Sequence, residues 1–397
     1  MKPPAIKKYF AGLSRDTFLL AAVSLFADIS TEMLYPILPV FLTQNLQAGG
    51  SVVGLVEGVA QATQNIIQGF SGWLSDRLRI RKPVAFVGYT LSAISKPLIG
   101  VSSVWQQVLT FRFLDRLGTG TRSAPRDALI AGSVDTPNRG KAFGLEGIGD
   151  NLGAFIGPLI TVAILFAFHL DIRSIFYLAF IPGLIAVAAI ALVREKAPQK
   201  TARTKVAVSL KNLPRPYWLY LLATAVFGLG NVSNSFLILQ SRSLGISLQL
   251  TIIVYAFFNL IASITSYPSG FLSDKYSRKS VLLAGLVIFV LTYLGFAFSH
   301  NLLLVGIAFV LYGIFQGIFR TVGKTLASDY VPATMRASGV GWYLTVVGLT
   351  SLISSLVAGQ LWDNLGHPAV FIWGTAWGVL GIIAFIILVP RHLPAKA

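Results

Sequence analysis

Several of the few carboxylates in this 397-residue chain fall inside long apolar runs, where acids are rare. Asp28 and Glu32 stand at i and i+4 of the first run, so on a helix they project from one face, one above the other. If that run crosses a bilayer, Asp28 lies about 16 Å into it at 1.5 Å per residue. An ionised carboxylate at that depth costs roughly 2.5–3.5 kcal/mol on insertion scales, so it must be paired, hydrated or protonated. Glu57 opens a polar stripe in the second run, continued by Gln61, Gln64, Asn65 and Gln68. Such a stripe faces protein or water, because facing lipid would leave its polar groups without partners. In the fourth run Arg112, Arg116, Thr119, Arg122 and Arg126 advance by 4, 3, 3 and 4, forming one cationic helix face with Asp115 and Asp127 beside it. Burial raises a carboxyl's proton affinity and an approaching cation lowers it, so relative motion of the two changes proton occupancy.

Twelve segments are long and apolar enough to position these groups across a bilayer. They cover roughly 17–44, 52–74, 84–103, 106–131, 142–168, 173–194, 217–241, 249–273, 281–299, 303–330, 338–362 and 368–389. Hydrophobic residues make up 54% of the chain and charged residues 12%, with a mean hydropathy of +0.71. A soluble domain carries about 25% charged residues, so this is an integral membrane protein. Tyr35-Pro36 and Pro39 are expected to kink the end of the first helix. Lys96, a lone charge near one end of the third segment, is expected to snorkel to the headgroups. The tryptophans fall mostly near span ends and read as interfacial anchors, with Trp342 and Tyr343 as candidate solute contacts.

The net charge of +17 is distributed by side rather than by patch. Of 32 Lys and Arg, 23 sit in the termini and in the alternate loops that share one face of the membrane; the opposite loops hold only Arg173 and Arg242. The positive-inside rule then puts both termini in the cytoplasm and excludes a nucleic-acid surface. Cysteine is absent, and the four histidines show no metal-ligand spacing. Leu117-Gly118-Thr119-Gly120 lacks the Gly-Lys-Ser/Thr of a phosphate loop. No enzyme chemistry, metal or cofactor is therefore expected.

A basic motif occurs twice. Gly72-Trp73-Leu74-Ser75-Asp76-Arg77-Leu78-Arg79-Ile80-Arg81-Lys82 returns as Gly270-Phe271-Leu272-Ser273-Asp274-Lys275-Tyr276-Ser277-Arg278-Lys279. Asp76 and Asp274 are 198 residues apart, close to half the chain, so the repeat is half the protein. The same offset carries Arg122 onto Arg320 and Arg126 onto Lys324. The expected domains are 1–194, a basic linker at 195–215, and 216–397.

The tandem motif resembles the signature of the major facilitator superfamily, found between the second and third helices of a six-helix half. Arg112-Phe113-Leu114-Asp115 is similar to its fourth-helix arginine motif, although Arg116 stands where glycine is common. Gly153-Ala154-Phe155-Ile156-Gly157-Pro158 resembles the fifth-helix motif of its antiporters, with Thr161-Val162 in place of paired glycines. The resemblance implies an all-α membrane protein of twelve transmembrane helices in two pseudo-symmetric six-helix bundles. It also implies a secondary transporter of the cytoplasmic membrane, functional as a monomer among lipids and driven by the proton gradient.

The drug/metabolite:proton antiporters are the nearest branch by motif, which implies proton-coupled efflux of a small molecule. The alternative is an organic-anion carrier working by symport or exchange. First and fourth helices line the pathway in the superfamily, so Asp28, Glu32, Glu57 and Arg112 are the expected proton-coupling residues. Gln61, Gln64, Arg116, Asn231, Asn234, Gln316 and Arg320 are the expected solute ligands. Asp76, Arg77, Arg122, Arg126, Glu146, Asp150, Asp274 and Lys324 are the expected conformational latch, closing the cytoplasmic mouth by ion pairs that also include Asp329.

Overall fold

The computed structural model describes residues 11–78, 80–195, 213–299, 301–332 and 335–390, with the side chains of 72–78, 136 and 337 excepted. The described residues are helical with short connections, and they contain no strand. Among the described residues, nine helices are long and apolar enough to span a membrane: α1 (Arg15–Asn45), α3 (Lys82–Val101), α5 (Arg139–Ala167), α6 (Ile172–Leu192), α8 (Leu248–Lys275), α9 (Arg278–Phe298), α10 (Leu302–Asp329), α11 (Ser338–Leu365) and α12 (His367–Leu388). The gaps are filled by α2 (Gly50–Leu78), α4 (Trp105–Ser133) and α7, which is broken into Arg215–Gly228 and Ser235–Ser243. Those three carry the polar stripe, the arginine face and a break into two short pieces, so each falls short of the apolarity or the unbroken length of the other nine. The resulting order matches the expected pair of six-helix bundles.

Local chemistry sets the helix ends and bends. Ser14 caps α1, its Oγ accepting from the Thr17 amide at 3.2 Å. At Tyr35-Pro36 the α-helix ends; it resumes at Leu38 and finishes in a π-turn over Phe41–Asn45, as the proline pair requires. Ahead of α6, the Ser174 amide and hydroxyl hold the Asp171 carboxyl below the usual carboxylate range. The basic motif has a structural role at each copy. Lys82 donates to the Ala191 carbonyl at 2.6 Å, and Lys279 donates to those of Ile386 at 3.1 Å and Val389, each capping the last helix of its own bundle.

Glycines decide which helices touch. Gly149, Gly153 and Gly157 of α5 lie on the α1 backbone, where added Cβ atoms would stand 2.5, 2.6 and 2.8 Å from the carbonyls of Ala21, Leu25 and Ile29. The bundles meet along α2 with α11 and along α5 with α8. We call the end bearing the basic loops the basic end and the other the far end. At the far end one apolar cluster joins both bundles, with Leu34, Leu38 and Phe41 in the same body as Phe236 and Ile238. Toward the basic end the N-terminal bundle has its own separate cluster, which includes Leu20, Val23, Tyr89 and Ile130.

Candidate functional site

The arginine face of α4 is turned inward against α2 and α3. Arg112 is 1% exposed; its Nε donates to Glu57 Oε1 at 3.0 Å and its Nη1 to Asp115 Oδ2 at 2.9 Å. Arg116 places Nε 3.4 Å from Asp115 Oδ2, and its Nη1 donates to Gln64 Oε1 at 3.0 Å. Ser92 Oγ donates to Asp115 Oδ1 at 2.6 Å. Lys96 overturns the expectation of snorkelling. It is 2% exposed, donates to the Ser92 carbonyl and hydroxyl at 3.3 and 3.1 Å, and stands 3.7 Å from Asp115. A carboxylate and two oxygens inside the bundle offset the desolvation that would otherwise drive the ammonium to the headgroups. Three cations on two carboxylates leave one formal positive charge. Arg112 Nη2 and Arg116 Nη2 are buried without a hydrogen-bond partner among the described residues.

The acids of α1 are arranged differently. Glu32 Oε2 accepts from Tyr255 Oη at 2.9 Å and Asn259 Nδ2 at 3.3 Å, both on α8 of the opposite bundle. Asn259 also donates to the Ala154 carbonyl of α5 at 3.2 Å, and Tyr35 stacks on Tyr255 at 5.6 Å. Asp28 has Asp150, Arg122 and Glu32 as its charged neighbours. Among the described residues neither Asp28 nor Glu32 makes an ion pair, whereas Glu57, Asp115 and Glu146 all do. Gly153 and Gly157 press on this face of α1, with added Cβ atoms 2.8 and 3.1 Å from the Cβ atoms of Asp28 and Glu32. Both acids are thus packed from behind by α5; in front, Glu32 meets neutral donors and Asp28 faces charged neighbours.

The remaining sequence-predicted residues scatter around these centres. Arg126 reaches Glu146 at 3.0 Å, Asp127 at 3.0 Å and Asp150 at 3.8 Å, all within the N-terminal bundle, and Arg122 lies 4.3 Å over the Tyr89 ring. Asp274 meets Arg278 at 3.3 Å, and Arg278 also pairs with Asp329, both inside the C-terminal bundle. Arg320 and Lys324 are exposed, and Asp127 and Asp150 keep side chains 46% and 44% exposed, so the charged groups between the bundles reach solvent toward the basic end. In α7, Asn234 accepts from Tyr312 Oη at 2.8 Å, and Gln316 donates to that oxygen at 2.9 Å. Asn231 Oδ1 is buried without a partner, and Gln61 is half-buried. The Asp76 and Arg77 side chains lie outside the described residues. Tyr343 stacks on Tyr220 at 5.8 Å and is 2% exposed, placing it in the C-terminal core rather than on a solute path.

Tyr255 and Asn259 are absent from the sequence-based site. Their signal was in the repeat: the 198-residue offset carries Glu57 onto Tyr255 and Gln61 onto Asn259. The polar stripe of α2 therefore has a neutral counterpart on α8, in the equivalent place of the second bundle.

Comparison with known proteins agrees with this architecture. The family profile of the Major Facilitator Superfamily matches residues 20–239 and again 219–397. The chain belongs to the major facilitator superfamily. It is 34% identical over 383 residues to an uncharacterized MFS-type transporter of Methanocaldococcus jannaschii, covering 95% of this chain and 94% of that one. It is 25% identical to the multidrug resistance protein MdtH of Proteus mirabilis, covering 91% and 90%. Among solved structures, a variant of the nucleoside transporter NupG superposes with a TM-score of 0.79 at 15% identity, covering 95% of this chain and all of that one, which shows the shared fold. As a superfamily member the protein is a multi-pass membrane transporter and not an enzyme.

Proposed function

We propose that this protein is a proton-coupled secondary transporter that exports a small organic solute by alternating access, with Asp28 and Glu32 as proton carriers. One observation carries the reading. The carboxyl of Glu32 makes its hydrogen bonds across the bundle interface, to Tyr255 and Asn259, and among the described residues it makes no ion pair, with Arg116 and Arg320 as its more distant charged neighbours. Rocking one bundle against the other breaks those bonds and changes the environment of the acid, which is what couples proton occupancy to conformation. Glu57, paired with Arg112, takes the role of a fixed counter-charge that orients α4. Efflux by antiport is supported by the similarity to MdtH and by the glycine face of α5 behind the two acids. In this reading the protein sits in the cytoplasmic membrane as a monomer, with the basic loops and both termini in the cytoplasm. It uses the proton gradient and no bound cofactor.

The test is purified protein in liposomes with an imposed pH gradient and a panel of cationic, neutral and anionic solutes. Asp28→Asn and Glu32→Gln abolish gradient-driven flux while leaving solute counterflow intact. If both variants keep full gradient-driven flux, the assignment is wrong. A second reading, symport or exchange of an organic anion, is favoured by the surplus positive charge around Asp115 and by the two guanidinium nitrogens without partners. Accumulation of anionic solutes together with protons selects it.

A further inference from the structure

Asp363, near the end of α11, reaches across the bundle interface at the far end. Its Oδ1 accepts from the Gly50 amide at 2.7 Å and its Oδ2 from the Ser51 amide at 2.8 Å, so both oxygens grip the first two residues of α2. Amides in a first helical turn have no intrahelical acceptor and carry the positive end of the helix dipole, which favours a carboxylate there. No cation among the described residues lies within ion-pair distance of Asp363, so the helix terminus is its counter-charge.

The surroundings keep this approach close. Cβ atoms added to Gly49 and Gly50 would stand 2.8 Å from Asp363 Oδ2 and 2.6 Å from Trp362 Cδ1, and one added to Gly359 would stand 2.6 Å from the Gly50 carbonyl. Trp362 packs between Phe236, at 5.7 Å, and His367, at 4.4 Å. Among the described residues, the other flank of the interface has no equivalent contact. The residue 198 positions before Asp363 is Leu165 on α5, which offers no carboxylate to the start of α8.

We infer that Asp363 is a one-sided gate residue: its carboxylate on the start of α2 holds the far end shut, and that grip must be released each time the far end opens. The inference rests on alternating access and is independent of which residues carry protons.

The absence of cysteine from the chain allows a direct test. Gln44 and Gln249 are exposed at the far end, one in each bundle. Gln44→Cys with Gln249→Cys, spin-labelled in lipid nanodiscs, reports far-end opening as a distance distribution by double electron–electron resonance. Asp363→Asn is expected to raise the ratio of long-distance to short-distance populations about tenfold, the size of a lost helix cap. Ser51→Pro removes one donor at a helix start, where proline is tolerated, and leaves the carboxylate in place. It is expected to shift the ratio the same way by a smaller factor. Unchanged distributions in both folded variants overturn the inference, as does a lower melting temperature without any distance change, because that marks a mere helix cap. A parent protein that shows a second population at low pH while Asp363→Asn has no effect keeps alternating access and removes the gate.

Discussion

At the centre of the N-terminal bundle, Arg112, Glu57, Asp115, Lys96 and Arg116 are held by ion pairs drawn from α2, α3 and α4. At the centre of the C-terminal bundle stand Phe227, Phe289, Tyr293 and Phe315, with Phe289 4.0 Å from Tyr293 and 5.0 Å from Phe315 by ring centroids. The 198-residue repeat makes the contrast specific: Lys96 becomes Leu294, Arg112 becomes Val310, and Asp115 becomes Gly313. Buried charge is costly unless it is paired, whereas aromatic rings pack by shape and edge-to-face geometry and need no counter-charge. One half of a duplicated fold has therefore specialised in groups that respond to charge. The other supplies neutral donors, Tyr255 and Asn259, that reach across to them.

The largest test of that contrast is Asp115→Ala. It leaves Arg112, Arg116 and Lys96 without their common carboxylate and should cost about 3–5 kcal/mol, read as loss of folded protein in detergent unfolding. Mild destabilisation would mean that the charges are not what holds this bundle. Gly153→Val comes next, at about 1–3 kcal/mol from overpacking against α1. Its thermal shift should come with impaired proton-driven flux, because the new side chain pushes on Asp28; normal coupling in a destabilised variant would break that link. In the C-terminal bundle, Tyr312→Phe leaves Asn234 and Gln316 short of a partner at a cost of about 1–2 kcal/mol. Here proton coupling should persist, and its loss would place charge-linked function in the wrong half. The smallest effect is Lys82→Ala, which removes a helix cap worth about 0.3–1 kcal/mol and should match the effect of Lys279→Ala in thermal melts. Clearly unequal shifts would mean that the two copies of the basic motif do different work.

Much of the fold was legible because a bilayer restricts the options. Apolar runs of span length, a repeated basic turn and one-sided positive charge leave few arrangements. The bend at Pro36 followed from backbone chemistry, whereas that the α5 glycines lie on α1 came from the structure. The site was legible only as depth and face. Lys96 was misread because sequence places it near a span end and does not reveal that Asp115 and Ser92 lie beside it. Tyr255 and Asn259 were overlooked because two polar residues on an apolar helix look unremarkable until the opposing α1 face is known.

Residue types and their spacing thus determined the helices, their order, the internal duplication and which faces carry charge, since all of these depend on local geometry and on partition between water and lipid. The tertiary structure alone decided which charges are neutralised, that Glu32 takes its hydrogen bonds from neutral donors, and where Asp363 lands. Those outcomes depend on contacts between helices distant in the chain, and in a low-dielectric interior the partner, rather than the residue itself, decides what a charged group does.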